Sequence, residues 1–229
     1  MFYNGADQIL AGAFYKNIHN PIEIAFPERV LAGQNIALKP ANLGDATNYG
    51  LEFVLTKYFG KFGVNANYTY THSAVTTSKY FLSYDETTGR PLTKTLSQTR
   101  PLQGQAEHIG NLSLLYKDSK IGLDVQLAFV YTGERIVQVA QYANLDSWQK
   151  PYSLLDFSFE KKIVKYFSFY GKINNMMNSK TNVVLKQPYV LDQGTGVLDQ
   201  IAGQTDHANT FVQSDLYKLS FLFGIRYKF

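Results

Sequence analysis

The chain has 229 residues and a net charge of +4, with only 17% of its residues charged and 17 Tyr and 16 Phe among the rest. That length suits one all-β domain or two small domains of another class, and the charged fraction lies well below the roughly 25% usual for a soluble domain. The absence of cysteine excludes disulfides, thiol catalysis and thiolate metal sites, and lysines spread along the chain argue against a nucleic-acid partner, which needs a basic stripe.

No apolar run approaches the ~18 residues of a membrane-spanning helix, so any passage through a bilayer must be made by strands. Met1-Phe2-Tyr3-Asn4 has neither the basic start nor the apolar core of a secretory signal. An exported chain is then expected either to have lost its signal or to be the later portion of something longer.

In chain order, strands are expected over residues 8–19, 48–58, 62–71, 108–117, 121–132, 152–161, 166–174 and 215–229. The third and fifth are clearest. Phe62, Val64, Ala66, Tyr68 and Tyr70 alternate with Gly63, Asn65, Asn67, Thr69 and Thr71; Ile121, Leu123, Val125, Leu127, Phe129 and Tyr131 alternate with Gly122, Asp124, Gln126, Ala128, Val130 and Thr132. A period of two puts one set on each face of a sheet. Short turns at Phe59-Gly60-Lys61, Lys117–Lys120 and Lys162–Lys165 alternate with long connections over 20–47, 73–106, 133–151 and 175–214.

Outer-membrane barrels sort their connections in this way, with short turns in the periplasm and long loops outside. The fold class expected is therefore all-β: an antiparallel transmembrane β-barrel segment of eight up-and-down strands, with short periplasmic turns and long extracellular loops. A Lys or Arg facing mid-bilayer costs ~2–4 kcal/mol. The aromatic and aliphatic faces of the third, fifth and last strands are free of charge, while Asp124, Lys218, Arg226 and Lys228 lie opposite, so the apolar rows are expected to meet lipid. Eight strands cut from a larger barrel leave two unpaired edges, and an open, strongly curved sheet is expected.

Counting back in twos from Phe229 gives Tyr227, Ile225, Phe223, Phe221, Leu219 and Tyr217. This resembles the C-terminal signature of bacterial outer-membrane barrels, which serves as a barrel-assembly signal. Arg100-Pro101-Leu102-Gln103-Gly104-Gln105, Tyr131-Thr132-Gly133-Glu134-Arg135-Ile136 and Asn174-Asn175-Met176-Met177-Asn178 follow in order. Together they resemble the closing strands of TonB-dependent receptors, particularly the Bacteroidetes type, with Met176-Met177 replacing the usual Leu-Leu or Leu-Phe pair.

The resemblance implies that residues 1–229 are the C-terminal part of a receptor barrel, with the plug and N-terminal strands absent. It implies TonB-dependent uptake of a nutrient such as a siderophore, glycan or peptide. The partners implied are outer-membrane lipid, the TonB complex through the missing N-terminal part, the barrel-assembly machinery and, in the glycan-importing branch, a surface lipoprotein. The alternatives are a self-contained eight-stranded outer-membrane barrel with a structural or adhesive role, and a soluble β-barrel with its aromatic faces inward.

No catalytic, cofactor-binding or metal residues are assigned. His19, His72, His108 and His207 lack metal-ligand spacing. Asp192, Asp199 and Asp206 read as solvated loop aspartates, too sparse for a Ca²⁺ loop. Ser113, Ser158 and Ser220 have no matching His and Asp. Glu134 and Arg135, read first as a rim ion pair, are candidate ligand contacts at the extracellular mouth. Trp148, beside Pro151 and Tyr152, marks re-entry at the outer interface and is the third candidate.

Overall fold

The computed structural model describes residues 7–25, 38–85, 87–143, 145–186, 190–191, 198–199 and 209–229. The strands are β1 Gln8–Ile18, β2 Ile22–Ala25, β3 Lys39–Asn42, β4 Ala46–Phe59, β5 Phe62–Tyr84, β6 Pro91–Arg100, β7 His108–Asp118, β8 Leu123–Thr132 and β9 Arg135–Gln138. They continue as β10 Ser147–Gln149, β11 Tyr152–Val164, β12 Phe167–Asn174, β13 Lys180–Leu185, β14 Val190–Leu191, β15 Leu198–Asp199, β16 Thr210–Leu216 and β17 Ser220–Tyr227.

One antiparallel path, β1-β4-β5-β7-β8-β11-β12-β17, forms the wall. The count of eight needs correcting, because β6 also pairs with β5 and makes the sheet nine-stranded. β5 runs for 23 residues, far beyond residue 71, because apolar and β-branched residues continue from Val75 towards Leu82 and pair with β6 from Val75↔Arg100 to Tyr84↔Pro91. The connections expected to be loops also hold a four-stranded sheet, β16-β13-β10-β9, and the pair β2-β3. Among the described residues β1 and β17 do not pair with each other, so the path stays open.

The last wall strand begins at Ser220, not 215; Tyr217, Lys218 and Leu219 lie outside any strand. The asparagine-rich segment is the cause. Asn175 and Asn178 have φ of 51° and 50°, a left-handed conformation that asparagine tolerates well. From there the Asn175 amide donates to the Tyr217 carbonyl, and Leu219 N–H donates to Asn178 Oδ1 at 3.3 Å. Ser179 N–H donates to Asn175 Oδ1 at 2.9 Å, and Asn175 N–H to Asp156 Oδ1 at 2.8 Å. Asn175→Ala should cost about 1 kcal/mol by removing the side-chain partner of Ser179 N–H and of the Tyr217 carbonyl, read as lost amide-exchange protection at Ser179; unchanged protection there would refute this role.

Directly paired residues share a face, and their rows run across the wall. One row is Leu114–Leu127–Phe157–Ile173–Phe221, and the next Tyr116–Val125–Phe159–Gly171–Phe223. Leu114, Phe221 and Phe223 are 49%, 59% and 56% exposed. Gly171 exists to seat rings, since a Cβ there would meet Phe159 Cε1 at 2.5 Å and Phe223 Cδ1 at 2.9 Å. On the opposite face lie Asn65–Ser113–Ala128–Asp156, Gln126–Ser158–Lys172 and Asp124–Glu160–Tyr170.

Tyr58 of β4 and Arg226 of β17 stand six steps apart along the path, yet both line a hollow of about 450 Å³ together with Gln126, Ser158, Glu160 and Lys172 and with the apolar Leu115, Val125, Phe159 and Leu222. The sheet therefore curves around its polar face. β7 and β8, of 11 and 10 residues, suit the roughly 9–11 residues of a tilted membrane-crossing strand. The buried apolar cluster among the described residues is small and lies beyond the wall: Ala25, Ile136 and Val139, with Leu43 and Trp148 packed against it.

Candidate functional site at the loop-side mouth

The three sequence motifs converge on the loop side of the wall. Arg100 ends β6 and places its guanidinium on Glu23 of β2, with Nη1 2.9 Å from Oε1 and Nη2 2.6 Å from Oε2. Gln103 N–H donates to the same carboxylate at 2.7 Å, and the Gln103 side chain accepts from Ile24 N–H at 2.7 Å while donating to the Val137 carbonyl at 2.7 Å. Gly104 N–H reaches the Ile136 carbonyl at 2.8 Å, with Gly104 at φ 79°, where a side chain would be strained. The motif thus staples β2, β6 and β9 together.

A second buried pair lies nearby. Lys79 Nζ is 2.5 Å from Asp146 Oδ1, with side chains 2% and 4% exposed, and Asp146 also accepts from Ala140 N–H at 2.7 Å. Both pairs stand beyond the membrane-crossing span. Burial pushes the Lys79 ammonium down, and this outweighs the Asp146 charge and hydrogen bond that raise it. At Glu23 burial pushes the carboxyl up, but the Arg100 hydrogen bonds, the Gln103 N–H and the Arg100 and Lys79 charges together hold it below its ordinary value.

A depressed carboxyl contributes stability that is present above its unfolded value and drains away as pH falls through the lower folded one. The loop-side assembly should hold from neutrality down to about 4.5 and loosen below it. The emission of Trp148, the sole tryptophan, reports the packing of this cluster; a spectrum constant until the wall itself unfolds would contradict the expectation.

The three candidate mouth residues come close together but do not act alike. Glu134 pairs with Lys186 at 2.5 Å, and Lys186 Nζ stands 3.7 Å from the Trp148 ring centroid. Arg135 turns away and gives Nε–H to Gln149 Oε1 at 2.8 Å. The Glu134–Arg135 ion pair is therefore corrected, because each side chain is held by another partner, Glu134 by Lys186 and Arg135 by Gln149. Glu134 and Trp148 line a cavity of about 140 Å³ with Thr71, His72, Gln105 and Glu107, which Arg135 does not reach. Trp148, expected as an interfacial anchor, packs instead against the Ala25–Ile136–Val139 cluster.

Sequence reasoning gave Glu23, Lys79, Asp146 and Lys186 no role, and nothing local marks them. The described histidines have separate partners: His19 with Asp45 at 3.1 Å, His72 with Glu107 at 3.8 Å and His108 with Tyr68 Oη at 2.7 Å. Among the described residues no group of three His, Cys, Asp or Glu could hold a metal. His207, Asp192 and Asp206 lie outside the described residues, and of Asp199 only the backbone pairing with Val190 is described. Of the assembly-signal residues, Phe221, Phe223, Ile225 and Tyr227 fall in β17 on the apolar face, and Phe229 lies just past its end.

A curved up-and-down sheet with an exposed apolar face, a hollow on the side of its polar face, short turns at one end and long connections at the other is the wall of an outer-membrane β-barrel. Residues 2–176 match the profile of the family described as "TonB dependent receptor-like, beta-barrel". The chain belongs to that family, whose members are barrels of the bacterial outer membrane and are transporters, not enzymes. The profile describes the family as a whole and specifies no branch within it.

Among solved structures, the siderophore receptor PirA from Acinetobacter baumannii resembles the chain with a TM-score of 0.48 and 19% identity, over 77% of this chain and 26% of that one. The chain thus spans about a quarter of that protein's length. No curated protein matches the sequence.

Proposed function

We propose that residues 1–229 form the C-terminal part of the barrel of a transporter that takes up a nutrient such as a siderophore, glycan or peptide, powered by TonB through a segment outside this chain. The carrying observation is the separation of faces, an exposed aromatic-aliphatic one and a polar one around the hollow. The outer edges of β1 and β17 have no described neighbour, and lipid does not tolerate unpaired strand edges. Further strands outside this chain would pair those edges and close the wall, and a plug would fill its interior, which speaks against a self-contained eight-stranded barrel.

In this reading Glu134, Arg135 and Trp148 belong to the ligand-facing mouth. Phe229, Tyr227, Ile225, Phe223 and Phe221 present the row read by the barrel-assembly machinery. A surface lipoprotein over the long connections fits the glycan case.

The test is uptake. Cells with the gene and cells lacking it are given labelled ferric siderophores, oligosaccharides and peptides, with and without TonB. Accumulation of one class that vanishes in both mutants supports the proposal. Equal accumulation of all three classes in every strain overturns it.

A further inference from the structure

Lysines that are dispersed in the sequence gather at the short-turn end of the wall. Lys61 stands in the turn between β4 and β5, Lys120 in that between β7 and β8, and Lys161, Lys162 and Lys165 at that between β11 and β12. Of these five only Lys61 has a carboxylate ion-pair partner, Asp118, while Lys57 and Lys228 at the same end pair with Asp7 and Glu160. Lys161 Nζ donates to the Ile121 carbonyl, and Lys165 Nζ stands 4.9 Å from the Tyr166 ring centroid. Among the described residues no carboxylate lies within ion-pair range of Lys120, Lys161, Lys162 or Lys165.

The loop side is the reverse. There Arg100, Lys79 and Lys186 are each matched by a carboxylate, from Glu23, Asp146 and Glu134. Cations without a carboxylate partner stand on the loop side too, Arg135 among them with its bond to Gln149, but only at the short-turn end are several of them gathered on adjoining turns.

Next to these cations the wall is apolar and open. Phe59, Phe62, Ile163 and Phe167 are all exposed, and Lys161 lies on the apolar face, in register with Leu123 and Phe169. Lysine stems lie along apolar surface while their ammonium groups reach the polar layer. An ammonium row above an aromatic-aliphatic belt is complementary to a molecule with a phosphate at one end and hydrocarbon behind it.

We propose that the short-turn rim around Lys120, Lys161 and Lys165 is a binding surface for anionic phospholipid headgroups, with the phosphate seated among the ammonium groups and the acyl chains along the aromatic belt. The cations left uncompensated in the protein are compensated by the leaflet. This does not depend on what the barrel transports.

The test uses the protein extracted from its own outer membrane and reconstituted with spin-labelled phosphatidylglycerol or phosphatidylcholine, measuring the motionally restricted fraction of each lipid. Phosphatidylglycerol should be preferred about fivefold, the factor that one lysine near an anionic surface supports, and the preference should fall in high salt. Lys120→Gln/Lys161→Gln/Lys165→Gln should bring the ratio near one, and the corresponding Arg triple should restore it. Single Lys161→Gln and Lys165→Gln variants, which perturb folding least, should give intermediate ratios. Equal retention of both lipids by the parent protein overturns the proposal, as does a ratio the Gln variants leave unchanged. Displacement by millimolar inorganic phosphate would assign a free-anion site instead and overturn it too.

Discussion

Replacing Leu127 by Arg should destabilise the membrane-inserted wall by ~2–4 kcal/mol, among the largest effects a single change here can have. Leu127 lies mid-strand between Leu114 and Phe157, in an apolar row that carries no charge. Arg there must either hold its guanidinium in hydrocarbon or deform the wall to reach water. Asn65 belongs to the opposite face, where it pairs with Ser113; Asn65→Arg should change stability by only about 0.5 kcal/mol. Denaturant titration of the protein in lipid vesicles measures both. Similar losses for the two variants would mean that the faces are not chemically distinct.

The second large effect is expected at Arg100, through the charge it leaves behind. The Arg100 and Glu23 side chains are 2% and 3% exposed, so Arg100→Met strands a buried carboxylate. Breaking a buried ion pair from one side typically costs 3–5 kcal/mol, whereas replacing both partners by apolar residues is often nearly neutral. The Arg100→Met single variant should lose about that much from the loop-side assembly, and Glu23→Leu/Arg100→Met should recover most of it. Amide-exchange protection at Ile24 and Gln103, which depends on this junction, separates the outcomes. A double variant as loose as the single would show that hydrogen bonding to the backbone, not charge compensation, holds the loops.

The wall was legible in the sequence because its period is two and its faces differ in kind. Glycines supplied the turns: Gly60 at φ 63° and Gly122 at φ 61° are positions where that conformation costs glycine little. The extension of β5 could also be read, since Val75, Tyr80, Phe81 and Leu82 continue a strand composition. What escaped were the short strands within the connections. β10 has 3 residues and β9 has 4, too few for periodicity to show.

The junction at Arg100 was hidden for another reason. The motif marks the place, but its partner Glu23 lies 77 residues away, and no local pattern links the two. Glu134 and Arg135 misled by adjacency, since the partners that hold them, Lys186 and Gln149, lie 52 and 14 residues away. The basic rim was half legible: the three short turns and their lysines were expected at one end, but which of those lysines lack a carboxylate partner depends on side-chain placement that the sequence does not carry.

The most direct measurement uses the absence of cysteine. Single cysteines at Val125, Gln126, Phe157 and Ser158 are reacted with a hydrophilic, membrane-impermeant maleimide in intact outer membranes. Gln126 and Ser158 should label and Val125 and Phe157 should resist, in a pattern that alternates along β8 and β11. Labelling of Val125 and Phe157 with protection of Gln126 and Ser158 would place the aromatic-aliphatic rows inside, and an outer-membrane wall would no longer be tenable.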